Sequence, residues 1–223
     1  MTTPGLVDGA ETLGIKLTGQ QADSLNAYLD AMLEVNKSLN LTSIRDREQA
    51  VIRHLLDSLT VIPAWHAVAG KSAPKRVLDL GTGGGFPGAV LAVMWPTSRV
   101  LMIDSTGKKV RAVAQCLAAA GIRNAEAYNV RGEQLPALRR ETRGSFDLCV
   151  ARAVGPAGGL IREFAPLIAR PGRILLMKGP NTSPEEIEGA NEEAKRLFID
   201  VEPVRTADVP GLERRMFLVY ARR

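Results

Sequence analysis

The chain has 223 residues, of which 45% are hydrophobic and 24% are charged, and its mean hydropathy is close to zero. This composition is typical of a globular protein with one well-cored domain and a modest extension. No signal-peptide pattern and no apolar run of about 18 residues occur, so we expect a cytoplasmic protein that is neither secreted nor membrane-spanning. The net charge of +5 is uneven, since residues 71–180 carry 17 Lys/Arg against 7 Asp/Glu. This excess favours a polyanionic partner such as nucleic acid, the alternative being an ordinary solvated surface.

The first part of the chain predicts a small helical extension. Residues 1–17 are weakly patterned and are expected to be irregular. The capping box Thr18-x-x-Gln21 then opens an amphipathic helix. Its apolar face comprises Leu25, Tyr28, Leu29, Met32 and Leu39. After a loop at 40–43, a second helix begins at Asp46, with apolar positions at Val51, Leu55, Leu56 and Leu59.

Strand and helix patterns alternate in the rest of the chain. Pro63 and the stretch 70–74 mark a boundary, which predicts an extension over 1–70 and a main domain over 71–223. Strands are predicted at 76–80, 99–104, 125–130, 146–150 and 173–177, the last one introduced by Pro171-Gly172. Helices are predicted at 88–94, 107–120, through 135–138, near 159–169 and near 184–198.

The last two strand patterns, 200–205 and 214–221, are joined by Pro210-Gly211 without room for a helix, so they predict an antiparallel hairpin at one edge of the sheet. The order therefore predicts an α/β fold with a doubly wound, mostly parallel sheet of about seven strands. A terminal hairpin is a feature of the methyltransferase version of this architecture.

A glycine cluster follows the strand at 76–80 and precedes a helix. Its glycines are Gly81, Gly83, Gly84, Gly85 and Gly88. Because glycine tolerates positive φ and has no Cβ, such a loop can turn sharply and lie against a ligand. A strand–glycine loop–helix unit is how nucleotide-like cofactors are held at a sheet edge, although a tight turn that binds nothing has the same pattern.

Two acidic residues flank this loop and narrow the choice of ligand. Asp104 ends the second strand, where a carboxylate can accept hydrogen bonds from both hydroxyls of a ribose. Asp79 lies two residues before Gly81, where it would repel a pyrophosphate and favour a cationic or amino-bearing ligand. S-adenosylmethionine, which carries a ribose, an amino group and a positively charged sulfonium, fits a glycine loop between two carboxylates better than NAD does. Since Gly83-x-Gly85-x-x-Gly88 also fits the dinucleotide pattern, an NAD-dependent oxidoreductase stays open as the alternative.

Several sequence blocks resemble one known family. They are Asn-Leu-Thr-Ser-Ile-Arg-Asp at 40–46, Arg-His-Leu-Leu-Asp-Ser at 53–58, the glycine loop with Gly-Phe-Pro-Gly at 85–88, Asp-Ser at 104–105, Gly-Lys-Lys-Val-Arg at 107–111, Ala-Arg-Ala-Val at 151–154 and Met-Lys-Gly at 177–179. In this order they resemble the bacterial small-subunit ribosomal RNA methyltransferase G family, also called glucose-inhibited division protein B. The resemblance implies a Rossmann-like class I methyltransferase, expected as a monomer. It also implies methyl transfer from S-adenosylmethionine to N7 of one guanine in 16S rRNA of the small ribosomal subunit; methylation of another substrate is an alternative.

The same resemblance implies roles for individual residues. Gly81 and Phe86 would line the cofactor site, and Gly132-Glu133 would flank the adenine. Gly83 is expected at the cofactor from the glycine loop itself. Arg152 would stand where the methionine end of the cofactor or the incoming base lies. We expect Arg152 to be catalytic by donating hydrogen bonds to guanine O6 or to the cofactor carboxylate, because attack by N7 needs alignment and no general base.

For several other polar residues, the sequence allows two possible roles. His54 and Asp57 form either a substrate-facing pair or a link between the N-terminal helices and the sheet, and the apolar surroundings favour the link. Lys178 is either an RNA phosphate contact or a solvated lysine. Ser105 is expected to be a helix N-cap rather than a ribose ligand. The two cysteines are expected to be buried free thiols, and with two histidines and no Cys/His cluster we expect no metal site.

Overall fold

A seven-stranded sheet organises the protein in a computed structural model that describes residues 5–209, 211–212 and 214–223. The strand order is β3-β2-β1-β4-β5-β7-β6, in which β1 to β5 run parallel and β7 is antiparallel to both β5 and β6. The strands are β1 (Arg76–Leu80), β2 (Arg99–Asp104), β3 (Ala125–Asn129), β4 (Phe146–Arg152), β5 (Ile168–Lys178), β6 (Asp200–Ala207) and β7 (Arg215–Arg222). The predicted doubly wound sheet with a terminal antiparallel hairpin is therefore confirmed.

Helices cover both faces of the sheet. In the described ranges they are α1 (Leu6–Thr12), α2 (Gly19–Leu39), α3 (Arg47–Ala50), α4 (Asp57–Leu59), α5 (Val61–Ala69), α6 (Gly88–Met94), α7 (Gly107–Ala119), α8 (Leu135–Leu138), α9 (Ala157–Phe164) and α10 (Pro184–Arg196). A π-helical segment, Val51–Leu56, joins α3 to α4, and short 3₁₀ turns precede and follow α8. Among these described helices, none is both long and apolar enough to cross a membrane.

The alternation of side chains along the strands divides the core into two clusters. Successive residues of a strand point to opposite faces; in β1, Val77 packs with α2, α6 and α7, whereas Leu78 packs with α9 and α10 on the other face. The first cluster also contains Leu6 of α1 and Leu55 of the π-helical segment. The N-terminal helices thus share a core with the sheet. The division into 1–70 and 71–223 stays a prediction.

The N-terminal region differs from the predicted one in three places. Residues 6–12 form α1 instead of an irregular start, and Leu6 and Ala10 of this helix are buried, whereas residues 1–4 lie outside the described ranges. The capping box at Thr18 is confirmed, but Leu39 of the predicted apolar face is 38% exposed. Pro63, which we expected near the boundary, lies inside a helix: it is the third residue of α5, in the first turn, where a proline is tolerated because its missing N–H is not needed there.

The strand and helix bounds in the sheet region differ from prediction by smaller amounts. β4 extends to Arg152, two residues beyond the predicted end. β5 begins at Ile168, before Pro171, and α9 correspondingly ends at Phe164. The register between β4 and β5 shifts near Phe146, so Pro171 lies at an irregular part of the ladder rather than in front of the strand. Of the predicted hairpin turn, Gly211 is described and has a positive φ of 79°, and Pro210 lies outside the described residues.

Helix α2 touches the glycine loop directly. The buried Tyr28 donates a hydrogen bond from its hydroxyl to the carbonyl of Gly84 at 3.1 Å. At Gly85, whose φ is +95°, an added Cβ would lie 1.7 Å from the Tyr28 hydroxyl oxygen. The loop conformation therefore depends both on a left-handed backbone and on the absence of a side chain at this position.

We expect Gly85→Ala to lower the free energy of unfolding by about 1–3 kcal/mol more than Gly121→Ala, because overpacking adds to the backbone strain. Gly121 is a matched control, since its φ is +68° and nothing lies within 4 Å of its added Cβ. Urea unfolding of both variants measures the difference. Equal losses would show that the contact with Tyr28 imposes no constraint on the loop.

Candidate functional site

A cavity of about 680 Å³ lies at the carboxyl ends of β1 to β4, where open α/β sheets bind ligands. It is lined by the loops that follow these four strands, together with Leu41, Thr42 and His54 from the N-terminal region. Seven of the eight predicted cofactor-binding residues line it, namely Gly81, Gly83, Phe86, Asp104, Gly132, Glu133 and Arg152. These predicted residues meet at one cavity although they are up to 71 positions apart in the chain.

Asp79 is the exception, because it lies beneath the glycine loop and has no exposed surface. Its Oδ2 accepts hydrogen bonds from the Thr82 hydroxyl at 2.6 Å and from the Gly88 N–H at 2.8 Å. Burial raises the pKa of Asp79 to about 6, and these two hydrogen bonds oppose the rise. The expectation of a direct contact between Asp79 and the ligand therefore needs correction: this carboxylate holds the loop from behind.

Asp104 ends β2 at the cavity and supports two loops at once. Its Oδ2 accepts a hydrogen bond from the Gly83 N–H at 3.1 Å, and its Oδ1 accepts one from the Thr106 N–H at 2.8 Å. Each carboxylate oxygen can accept a further hydrogen bond, so the side chain keeps acceptor capacity for a ligand hydroxyl. The expected N-cap at Ser105 is wrong, because Thr106 is the residue before α7 and Ser105 lies on the cavity wall.

The N-terminal helices reach the site through a buried ionic bridge. The carboxylate of Asp57, 1% exposed, accepts hydrogen bonds from Arg152 at 2.9 Å and from Arg215 at 2.6 Å. These arginines end β4 and begin β7, and the Arg152 guanidinium also donates to the carbonyl of Arg53 at 2.9 Å. Asp57 thus forms the predicted link between helices and sheet, and it anchors a cavity residue in doing so.

His54 lies on the cavity wall and also contacts this link, because its Nδ1 is 3.4 Å from a terminal nitrogen of Arg152. Its ring stacks on Phe86 with centroids 4.8 Å apart and an interplanar angle of 5°. Its Nε2 is 3.1 Å from the Thr42 hydroxyl, and the Arg152 guanidinium lies 5.6 Å above the Phe86 ring. Burial and the nearby charge of Arg152 lower the pKa of His54 to about 3, so the imidazole is neutral at physiological pH. Both residues of the predicted pair therefore contact Arg152, but His54 lines the cavity and Asp57 is enclosed.

Lys178 is neither solvated nor on the cavity wall. Its ammonium group donates to Glu186 at 2.7 Å and to the carbonyl of Gly155 at 3.1 Å. Glu186 also accepts a hydrogen bond from the N–H of Ala157 at 3.0 Å. Together these bonds hold the loop between β4 and α9, which carries one side of the cavity.

Sequence reasoning gave no site role to three charged residues that line the cavity, which are Lys109, Arg131 and, in α9, Glu163. Its carboxylate lies against Gly132, where an added Cβ would be 2.0 Å from Oε2. Burial raises the pKa of Glu163, the neighbouring Glu133 raises it further, and Arg131 opposes the rise. No sequence signal marks Glu163, because a glutamate near the end of an amphipathic helix usually faces solvent.

Both cysteines are buried free thiols, as predicted. Burial raises the pKa of Cys116 to about 11 and that of Cys149 well above its usual value, so neither supplies a thiolate nucleophile near neutral pH. Within the described ranges, no three His, Cys, Asp or Glu side chains are grouped so as to hold a metal ion.

Removal of the Asp57 carboxylate leaves two partly buried guanidinium groups without their shared partner. We expect Asp57→Ala to lower the free energy of unfolding by about 3–5 kcal/mol. Asp208→Ala, which breaks an exposed ion pair of 2.7 Å with Arg214, should lower it far less. Chemical denaturation of both variants provides the comparison, and similar losses would contradict a structural role for the buried bridge.

Comparison with known proteins gives a consistent assignment. A family model described as rRNA small subunit methyltransferase G matches residues 21–214. A protein named Ribosomal RNA small subunit methyltransferase G from Leptothrix cholodnii is 38% identical over 217 residues, which cover 97% of this chain and 94% of that protein. One of the same name from Bordetella petrii is 33% identical over 222 residues, covering 98% and 82%.

A solved structure shares the fold at low sequence identity. The ribosomal protein L11 methylase from Lactobacillus delbrueckii subsp. bulgaricus has a TM-score of 0.57 and 17% identity, over 76% of this chain and 78% of that one. This likeness supports the Rossmann-like architecture alone. The family model and the near full-length relatives go further: the chain belongs to the rRNA small subunit methyltransferase G family.

Proposed function

We propose that the protein transfers a methyl group from S-adenosylmethionine to N7 of one guanine in 16S rRNA of the small ribosomal subunit. The observation that carries this proposal is the family match over residues 21–214, since this segment contains every strand-end loop that lines the cavity. The same match argues against the NAD-dependent alternative and against a methyltransferase for an unrelated substrate. We also propose a cytoplasmic location, since the proposed substrate is the small ribosomal subunit.

The residues at the cavity fit S-adenosylmethionine. A volume of about 680 Å³ is within the range of ligand sites, roughly 300–1,000 Å³. We assign the ribose hydroxyls to Asp104, whose oxygens keep free acceptor positions, and the adenine rim to Gly132 and Glu133. Gly81 and Gly83 bring backbone close to the ligand, and Phe86 forms an apolar wall. All these groups come from one chain, so we propose that a monomer is sufficient.

Asp79 acts indirectly in this assignment. Its hydrogen bonds to Thr82 and Gly88 fix both ends of the glycine loop. The carboxylate thereby keeps the backbone of Gly83 in place for the ligand, and Asp104 holds that residue from the other side.

Bound S-adenosylmethionine supplies an electrophilic methyl group on a sulfonium. Guanine N7 has an unprotonated in-plane lone pair, so the protein needs only to align the two reactants and needs neither a general base nor a metal ion. The neutral His54 fits this requirement because it adds no positive charge near the sulfonium. The basic region at 71–180 would attract the RNA backbone.

Arg152 is the residue we assign to alignment of the base. One terminal nitrogen of its guanidinium donates to Asp57 and to the carbonyl of Arg53, which uses both of its hydrogens. The other terminal nitrogen lies 3.4 Å from His54 Nδ1. Among the described residues, the Nε hydrogen and one further hydrogen have no acceptor. We assign these donors to guanine O6; if they bound the cofactor carboxylate instead, the loss of Arg152 would weaken S-adenosylhomocysteine binding.

The activity is tested with small ribosomal subunits that lack the modification and with methyl-labelled S-adenosylmethionine. We expect label in a single N7-methylguanine of 16S rRNA, located by mass spectrometry of nuclease fragments. Subunits that already carry the modification are the control and should accept no label. Label on another base, on a ribosomal protein or on no component would contradict the proposed function.

Arg152→Ala should lower the single-turnover methylation rate by about 10²-fold, because the base loses its alignment, while S-adenosylhomocysteine binding changes little. Arg215→Ala is the matched control: it removes the other arginine of the same bridge, and Arg215 is not among the residues that line the cavity. Rapid-quench assays and calorimetry measure the two effects. Equal rate losses in both variants would assign the effect to the bridge rather than to the base.

A further inference from the structure

Glu163 is a charged residue of the cavity to which the proposed function gives no role. It lies in α9, in the helix that follows β4, and is half-buried. Its Oε2 and Cδ would be 2.0 and 3.1 Å from a Cβ on Gly132, so the carboxylate covers the backbone of that residue. This is the part of the cavity to which we assign the adenine rim.

Within the described part of the chain, no group donates a hydrogen bond or forms an ion pair with Glu163. The neighbouring Arg162 points elsewhere and pairs with Glu193 at 3.3 Å. A half-buried carboxylate without a donor is unfavourable, because it has lost part of its hydration without replacement. Burial and the neighbouring Glu133 raise the pKa of this carboxylate, although the charge of Arg131 opposes the rise. A ligand that donates a hydrogen bond here would remove the cost.

The adenine base offers one such donor. Its ring nitrogens are acceptors, and its exocyclic amine is the only donor group on the base edge. Asp104 meets the ribose hydroxyls in our assignment, which leaves the amine as the group that a carboxylate over Gly132 can bind. Glu133 also has a carboxylate near this part of the cavity, but Glu133 is exposed. The carboxylate of Glu163 instead lies against the backbone of Gly132.

We propose that Glu163 reads the adenine of the cofactor by accepting a hydrogen bond from the exocyclic amine, so that the site selects a 6-amino purine over a 6-oxo purine. This inference rests on the proposed function, since it assumes an adenosyl ligand in the cavity. It adds a specificity-determining residue from a helix outside the glycine loop and the strand ends. The oxygen of a 6-oxo purine is a hydrogen-bond acceptor with a partial negative charge. It would lie next to the carboxylate without a hydrogen between them, so the two groups would repel each other.

The test compares the affinities of S-adenosylhomocysteine and its deaminated analogue, S-inosylhomocysteine, by calorimetry. The unmodified protein should bind the adenosyl compound about 10- to 100-fold more tightly. Glu163→Gln should reduce this preference to within about threefold, because a carboxamide can donate to the 6-oxo group as well as accept from the amine. General damage to the site would weaken the binding of both compounds by a similar factor and would leave the ratio of their affinities unchanged. Glu163→Ala should also lose the preference.

An isosteric control keeps the test specific. Glu188→Gln removes the same charge from an exposed position on α10 away from the cavity and should keep the preference ratio of the unmodified protein.

An unchanged ratio in Glu163→Gln, or an equal loss of preference in Glu188→Gln, would overturn this inference and leave the proposed cofactor intact. If the unmodified protein bound neither compound, the proposed cofactor would be overturned and this inference with it.

Discussion

The buried carboxylate of Asp57 is the interaction on which the site depends. A buried charge is tolerated only when partners compensate for its lost hydration, and here both partners come from the sheet, Arg152 from β4 and Arg215 from β7. The helical segment is therefore held in one position against two strand ends. Because Arg152 also lies over Phe86, and Phe86 stacks on His54, the same bridge determines how one wall of the cavity is arranged.

The acidic residues around the cavity divide into two groups by their burial. Asp79 and Asp57 are fully enclosed and bind protein groups: the first holds the glycine loop, and the second holds two arginines. Asp104 and Glu163 reach the cavity and keep acceptor capacity for a ligand. An adenosyl ligand carries hydroxyls and an amine, and these donors match the second group. The enclosed carboxylates hold the loop and the two arginines in place, and we propose that the accessible ones select the ligand.

Local patterns predicted the sheet well, because period-2 runs and glycine punctuation are encoded by neighbouring residues. The same holds for Asp104 and the glycine loop, which lie at predictable strand ends. Such patterns could not predict contacts between distant residues, for example the contact between Asp57 and Arg152, which are 95 positions apart. They also could not predict that Asp79 is buried under the glycine loop. Short elements were missed for another reason. α1 spans only two turns, and the π-helical segment at Val51–Leu56 has no sequence signature.

The long separation between Asp57 and Arg215 has a consequence for biosynthesis. The two residues lie 158 positions apart, and β7, which begins with Arg215, is inserted between β5 and β6. Until Arg215 has been synthesised, Asp57 can have only the first of its two arginine partners, Arg152. The complete bridge therefore forms only after nearly the whole chain has been translated.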